Sequence, residues 1–447
     1  MQETATRGGT RRARRGRLAW ATLTAATVLA FALATTGLAS SARTELVSVS
    51  SSDEQGNRDS SSSAVSANGR YVAFSSEATN LVAGDTNRTE DVFVRDRELG
   101  TTERVSVSST GQQGNHQSFE PAISPNGRYV AFTSGASTLV AGDTNGNWDV
   151  FVRDRKLGIT RRVSVSSTGR EGNGRSWQPA ISADGRYVAF ISRAKNLVPR
   201  DPKWYDVFVR DLKRHTTGKV SVSSRERPAN RKSAEPAISA DGRYVAFYSE
   251  AMNLVPGGRT RHFKPDVFIR DRKRGTTRRV SVSSRGRAGN DASFEPAISA
   301  TGRYVAFTSN ASNLAPRDPK WEDVFVRDRK RHTTRRVSVS STGRPGNNES
   351  FQPAISANGR YVAFGSLASS LVPGDTKETE DVFVRDRKRR TTRRVSVSST
   401  GRPGNSESRL PAISADGRYV AFSSEASNLV PGDTNSAADV FFRGPLP

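Results

Sequence analysis

The chain has 447 residues, 34% of them hydrophobic, with 69 Lys and Arg against 44 Asp and Glu, for a net charge of +25. Cysteine is absent, which excludes disulfides, thiolate metal sites, a cysteine nucleophile and a lipid-modified cysteine. The four histidines (His116, His215, His262 and His332) do not form a motif, and the low apolar fraction suits thin sheets packed face to face better than one deep core.

Arg11, Arg12, Arg14, Arg15 and Arg17 precede an uncharged stretch from Leu18 to Ala39, and small residues then offer cleavage after Ala39 or Ala42. Residues 1–42 are therefore expected to be a signal peptide, or a membrane anchor if residues 18–39 stay in place. Either outcome puts residues 43–447 outside the cytoplasm, in the extracellular space or the cell envelope.

From there one unit repeats. Gly-Arg-Tyr-Val-Ala-Phe begins at Gly69, Gly127, Gly185, Gly242, Gly302, Gly359 and Gly417, at intervals of 57 to 60 residues. A fixed period of this size marks a repeat architecture. In the third copy the pattern predicts strands at 179–182, 186–192, 206–211 and 219–223. Asp184-Gly185 forms the first hairpin turn, because Gly accepts positive φ without steric cost. The second strand is apolar on both faces and must be sandwiched. The fourth alternates Val with Ser, as expected of an outer edge with one face in water. Leu46–Ser50 supplies a fourth-strand sequence before the first repeat, while the last copy stops at its third strand, Asp439–Arg443. Pairing these ends predicts an all-β fold: a single seven-bladed β-propeller of four-stranded blades over residues 43–447, closed by its N-terminal strand.

Ser-x-Asp/Asn-Gly-Arg-Tyr-Val-Ala-Phe followed by Asp-Val-Phe-Val-Arg-Asp resembles the TolB-like, WD-repeat-like propeller repeat of exported bacterial proteins, over about residues 44–443. The resemblance implies a propeller fold and export. It implies no single activity, since that repeat serves scaffolds, receptors and enzyme side-domains.

Between the second and third strands of the second copy, Asp143, Asn145, Asn147 and Asp149 put oxygen-bearing side chains at every second position, a spacing that suits calcium. The same residues are also turn formers, and no other cofactor is implied. G-x-S-x-G, H-E-x-x-H and P-loop motifs are absent, so no catalytic residue is assigned. Trp148, Trp204 and Trp321 lie in these loops and could stack on a sugar or pack over the blade.

Charge carries more information. The ten-residue segments spanning the turn between third and fourth strands sum to 0, +4, +3, +5, +5 and +6 in the first six copies. Strand alternation puts all these turns on one side of the disc, and a one-sided field steers polyanions. The candidate polyanion-binding residues are Arg272, Lys273, Arg274, Arg327, Lys330, Arg331, Arg387, Lys388, Arg389 and Arg390. Export and the lack of interleaved aromatics disfavour nucleic acid. The expected protein is a non-enzymatic monomeric binding or scaffold propeller. Its basic face would contact an anionic envelope component, either phospholipid headgroups or an acidic polymer. Its long-loop face would receive a protein or glycan. The alternative is a calcium-dependent or glycan-active enzyme with its site at the central channel mouth.

Overall fold

The computed structural model describes residues 42–199, 204–256, 264–316, 321–375 and 378–446. The stretch 18–39, expected as signal or anchor, lies outside them. Among the described residues no helix is long and apolar enough to cross a membrane.

The propeller begins with β1 (Arg43–Leu46). Blade 1 is β2 (Ser60–Val65), β3 (Tyr71–Ser76), β4 (Asp91–Asp96) and β5 (Thr101–Arg104). Blade 2 is β6 (Ser118–Ile123), β7 (Tyr129–Ser134), β8 (Asp149–Asp154) and β9 (Ile159–Arg162). Blade 3 is β10 (Ser176–Ile181), β11 (Tyr187–Ser192), β12 (Asp206–Asp211) and β13 (Thr216–Lys219). Blade 4 is β14 (Ser233–Ile238), β15 (Tyr244–Ser249), β16 (Asp266–Asp271) and β17 (Thr276–Arg279). Blade 5 is β18 (Ser293–Ile298), β19 (Tyr304–Ser309), β20 (Asp323–Asp328) and β21 (Thr333–Arg336). Blade 6 is β22 (Ser350–Ile355), β23 (Tyr361–Ser366), β24 (Asp381–Asp386) and β25 (Thr391–Arg394). Blade 7 is β26 (Ser408–Ile413), β27 (Val420–Ser424) and β28 (Asp439–Gly444), completed by β1, whose Arg43 to Leu46 pair antiparallel with Gly444 to Phe441. The predicted fold and its closure are both present.

The apolar core lies between blades. In blade 1 the second strand shows Ala73 to one neighbour and Val72 and Phe74 to the other, and the third strand shows Val92 and Val94 to the first and Phe93 to the second. Ala73, Val92 and Val94 of blade 1 thus pack with Val130, Phe132 and Phe151 of blade 2, and six similar clusters complete the ring. Glycine at the first hairpin follows from this packing. At Gly127, with φ at +72°, a Cβ would lie 2.1 Å from the Tyr71 ring of the preceding blade.

The outer strand differs from expectation. In blade 3 it is Thr216–Lys219 instead of 219–223, and the Val220-Ser221-Val222-Ser223 segment is buried throughout. The reason is a hydrogen bond present in every blade. Ser221 Oγ donates to Asp206 Oδ1 at 2.6 Å, and the Val207 N–H donates back to that hydroxyl at 3.1 Å. Period-two alternation here records serines facing a buried aspartate, not water. The N-terminal copy behaves alike: β1 ends at Leu46, and Ser48 Oγ donates to Asp439 at 2.5 Å.

Candidate functional site

Each turn between third and fourth strands opens on an aspartate that holds it. Asp271 Oδ1 accepts the backbone N–H groups of Lys273 and Arg274 at 3.1 and 3.2 Å, and the carboxylate pairs with Arg243 at 2.7 Å. The ten candidate cations then divide. Arg327 is buried, donating to the Ser283 carbonyl at 3.0 Å and to Thr334 Oγ1 at 3.1 Å. Arg272 and Arg387 lie flat over tyrosines of the preceding blade, 4.5 Å from the Tyr187 centroid and 4.7 Å from that of Tyr304. These three are built into the fold. Lys273, Arg274, Lys330, Arg331, Lys388, Arg389 and Arg390 are exposed at the turns of three consecutive blades.

The summed charge of these segments overstates what reaches solvent. Their last cations in blades 1, 2, 3, 4, 5 and 6 (Arg104, Arg162, Lys219, Arg279, Arg336 and Arg394) turn inward. They pair with buried Asp91, Asp149, Asp206, Asp266, Asp323 and Asp381 at 2.9 to 3.7 Å. Those partners lie upstream of the counted windows. A second contrast works the other way. In blades 1 and 2, Arg97 and Arg155 are neutralised by Glu45 and Glu103 on the neighbouring outer strand. In blades 4 and 5 that position is Arg278 and Arg335, next to Arg329 and Arg387. Burial, above all, lowers the pKa of Arg329 and Arg387, and the adjacent like charge adds to it.

Asp143, Asn145, Asn147 and Asp149 do come together, but around a guanidinium. Arg162 lies 3.1 Å from Asp143 and 3.7 Å from Asp149. Asn145 Nδ2 donates to Asp149 Oδ2 at 2.7 Å, and Asn147 Nδ2 donates to the Asn145 carbonyl at 2.8 Å. Burial, chiefly, pushes the Asp149 carboxyl up to about 6, against the bonds from Ser164 and Asn145 and the charge of Arg162. Hydrogen bonds from Thr144 and Arg162 hold nearby Glu171 at about 2. The recurring Gly-Asp-Thr has the same role elsewhere: Asp85 meets Arg104 at 3.0 Å and Asp375 meets Arg394 at 2.6 Å. Among the described residues no group of three or more His, Asp or Glu is arranged to hold a metal ion. Trp148 packs edge-on against Phe119 at 5.0 Å, whereas Trp204 and Trp321 are exposed.

One ring of residues escaped the sequence reading. Each inner strand carries a bulge, and the residue there has φ between +51° and +53°. Ser62, Glu120, Gln178, Glu235, Glu295, Gln352 and Leu410 occupy it and line a central channel of about 470 Å³. They form a relay: Glu120 accepts the Gln178 N–H at 2.9 Å, Glu235 that of Glu295 at 2.7 Å, and Glu295 that of Gln352 at 2.7 Å. Burial raises the pKa of all three glutamates, that of Glu235 to about 7. Glu322 and Glu380, within the field of Glu295, also rise to about 7, chiefly through burial. A Glu or Gln directly before Pro in five of the seven copies was the available signal.

No known family profile and no curated protein matches this chain. Solved structures do. The propeller domain of the Trilobed protease of Pyrococcus furiosus aligns with a TM-score of 0.53 and 12% identity, covering 86% of this chain and 93% of that one. An oligogalacturonate lyase in complex with manganese aligns at 0.52 and 12%, covering 91% and 90%. TolB of Acinetobacter baumannii aligns at 0.43 and 15%, covering 79% of this chain and 66% of that protein. The likeness to the first two is one of fold: a propeller that recurs with unlike activities.

Proposed function

We propose that this chain is an exported, non-enzymatic binding propeller whose turn face contacts an anionic envelope component, phospholipid headgroups or an acidic polymer, with the long-loop face free for a protein or glycan. The observation that carries this reading is the uncompensated charge on blades 4 to 6. Seven exposed cations cluster there, and arginine replaces the glutamate that neutralises the equivalent arginines in blades 1 and 2. Cations near an anionic membrane contribute about 1 kcal/mol each. The triple variant Lys388→Gln, Arg389→Gln, Arg390→Gln should therefore weaken co-sedimentation with phosphatidylglycerol vesicles roughly a hundredfold. Binding of the full chain should fall with salt and be absent on phosphatidylcholine. Salt-independent binding, or a triple variant that binds as tightly, would overturn the reading.

The carboxylates converging on the channel favour a second reading, a glycan-active or calcium-dependent enzyme. Calcium at Asp143, Asn145, Asn147 and Asp149 would have to compete with Arg162. Arg162→Gln removes that competitor. Under this reading the variant melts lower than wild type without calcium and recovers with it. A melting temperature indifferent to calcium in both proteins removes the metal from the reading.

A further inference from the structure

The sevenfold repeat supplies internal controls, and two seams between blades depart from them, the larger opening being at one of the two. At five seams an arginine just after the third strand covers a tyrosine of the preceding blade and donates to the carbonyl of its own blade's hairpin glycine. Arg97, Arg155, Arg272, Arg329 and Arg387 bond in this way to Gly69, Gly127, Gly242, Gly302 and Gly359. At a sixth seam, between blades 6 and 7, Leu446 packs beside Tyr361. At the seam between blades 2 and 3 the arginine is replaced by Leu212.

The exchange leaves a cavity of about 420 Å³ at the turn face, lined by Tyr129, Leu212 and the hairpin Gly185 among others. Two further departures from the template converge on it. Ile159 stands where blades 1 and 3 to 6 have Thr101, Thr216, Thr276, Thr333 and Thr391, and Leu157, like Leu99 of blade 1, stands where blades 3 to 6 have Arg214, Arg274, Arg331 and Arg389. Leu157 is 58% exposed. The opening is visible in the strand below: Asp154 at the end of β8, which lines the cavity, is half-buried, while its counterparts in β4, β12, β16, β20 and β24 are buried. Leu212, Ile159 and Leu157 meet only at this seam, and together with Tyr129 they build an apolar wall that faces solvent.

Cations stand at its edge. Arg128 is engaged by Asp154 at 2.7 Å and Arg186 by Asp211 at 2.7 Å. The side chains of Arg161 and Lys213 are exposed, and neither has a carboxylate partner among the described residues. A pocket with one apolar wall, and with these two cations outnumbering the single exposed carboxylate, Asp184, at its mouth, matches a chain or ring that ends in an anion. We propose that this seam binds an anionic amphiphile, a single hydrocarbon chain lying over Tyr129, Ile159 and Leu157 with its head on Arg161 and Lys213. The site is separate from the cations of blades 4 to 6 and does not depend on the function proposed for them.

The test is isothermal titration of the full chain with laurate. One equivalent should bind, while acetate (the head without the chain) and dodecyltrimethylammonium (the chain with the opposite head) should not. Leu212→Arg restores the residue that five seams already accommodate, so it should fold and lose at least tenfold in laurate affinity. Ile159→Thr, again a residue the template tolerates, should weaken binding in the same direction. The double variant Arg161→Gln, Lys213→Gln should lose the preference for the anionic head. Absence of laurate binding by wild type, or equal binding by Leu212→Arg and Ile159→Thr, overturns the proposal. Phosphatidylglycerol vesicles form a parallel arm. Vesicle binding lost in Leu212→Arg identifies the chain as that of a membrane lipid, and vesicle binding retained while laurate is lost identifies a free amphiphile. Laurate binding by a protein that ignores vesicles would remove phospholipid headgroups from the envelope-contact reading and leave this one standing.

Discussion

Burial pushes the Glu235 carboxyl up to about 7, and the neighbouring charge of Glu295 adds to the shift. The unfolded chain releases that proton near 4.5, so the folded state binds it more tightly and the stability it lends is present at low pH. That contribution is lost as pH rises from about 4.5 to about 7, at up to about 1.4 kcal/mol per pH unit for each such group, and is gone above that range. Glu322 and Glu380 act in the same sense. Asp211 and Glu171, both held at about 2, oppose them only in acid, where protonation removes their bonds to Arg186 and Arg162. The melting temperature should therefore fall between about pH 4.5 and pH 7 and level off above it, and Glu235→Gln should flatten that slope in scanning calorimetry. The amide keeps the acceptor, as Gln352 does for the Leu410 N–H at 3.1 Å. A slope unchanged in the variant would mean that the proton resides elsewhere.

At the scale of the element, the residues that name a strand and the residues that face a site were legible to different degrees. Asp-Val-Phe-Val-Arg-Asp predicts the third strand at 206–211, and β12 is Asp206–Asp211. Sandwiched apolar residues leave no other place for that segment. The outer strand was misplaced because alternation reports two faces without saying what each meets, and a serine facing Asp206 reads the same as one facing water. Arg272, Arg327 and Arg387 were indistinguishable from their exposed neighbours, since sequence gives charge and not the tyrosine or carbonyl beneath it. The bulges were illegible for another reason: Glu120, Glu235 and Glu295 adopt positive φ, a conformation that no residue type except glycine announces. Leu212 broke the template in plain view. Its meaning required knowing that Tyr129, Ile159 and Leu157 lie around it.

At the largest scale the described residues form a ring held by seven seams, and its closure depends on four residues of β1 against β28. Thr44 and Val47 are buried there, and Thr44 Oγ1 donates to the Val397 carbonyl at 2.5 Å. Removal of residues 1–50 strips the outer strand from blade 7, along with the Ser48 hydroxyl that serves Asp439. The truncated chain should melt roughly 5–10 °C lower, and light scattering should show self-association through the bared edge of β28. A truncated chain that stays monomeric at an unchanged melting temperature would mean that the other six seams hold the ring alone. The same clasp sets an order in time. A chain emerging from its N-terminus presents β1 first and β28 last, so the earliest strand waits, unpaired, for the latest. Until Asp439–Gly444 arrives, every intermediate is an open arc with an exposed strand edge at either end, and a holding factor that shields strand edges would have its substrate only during that interval.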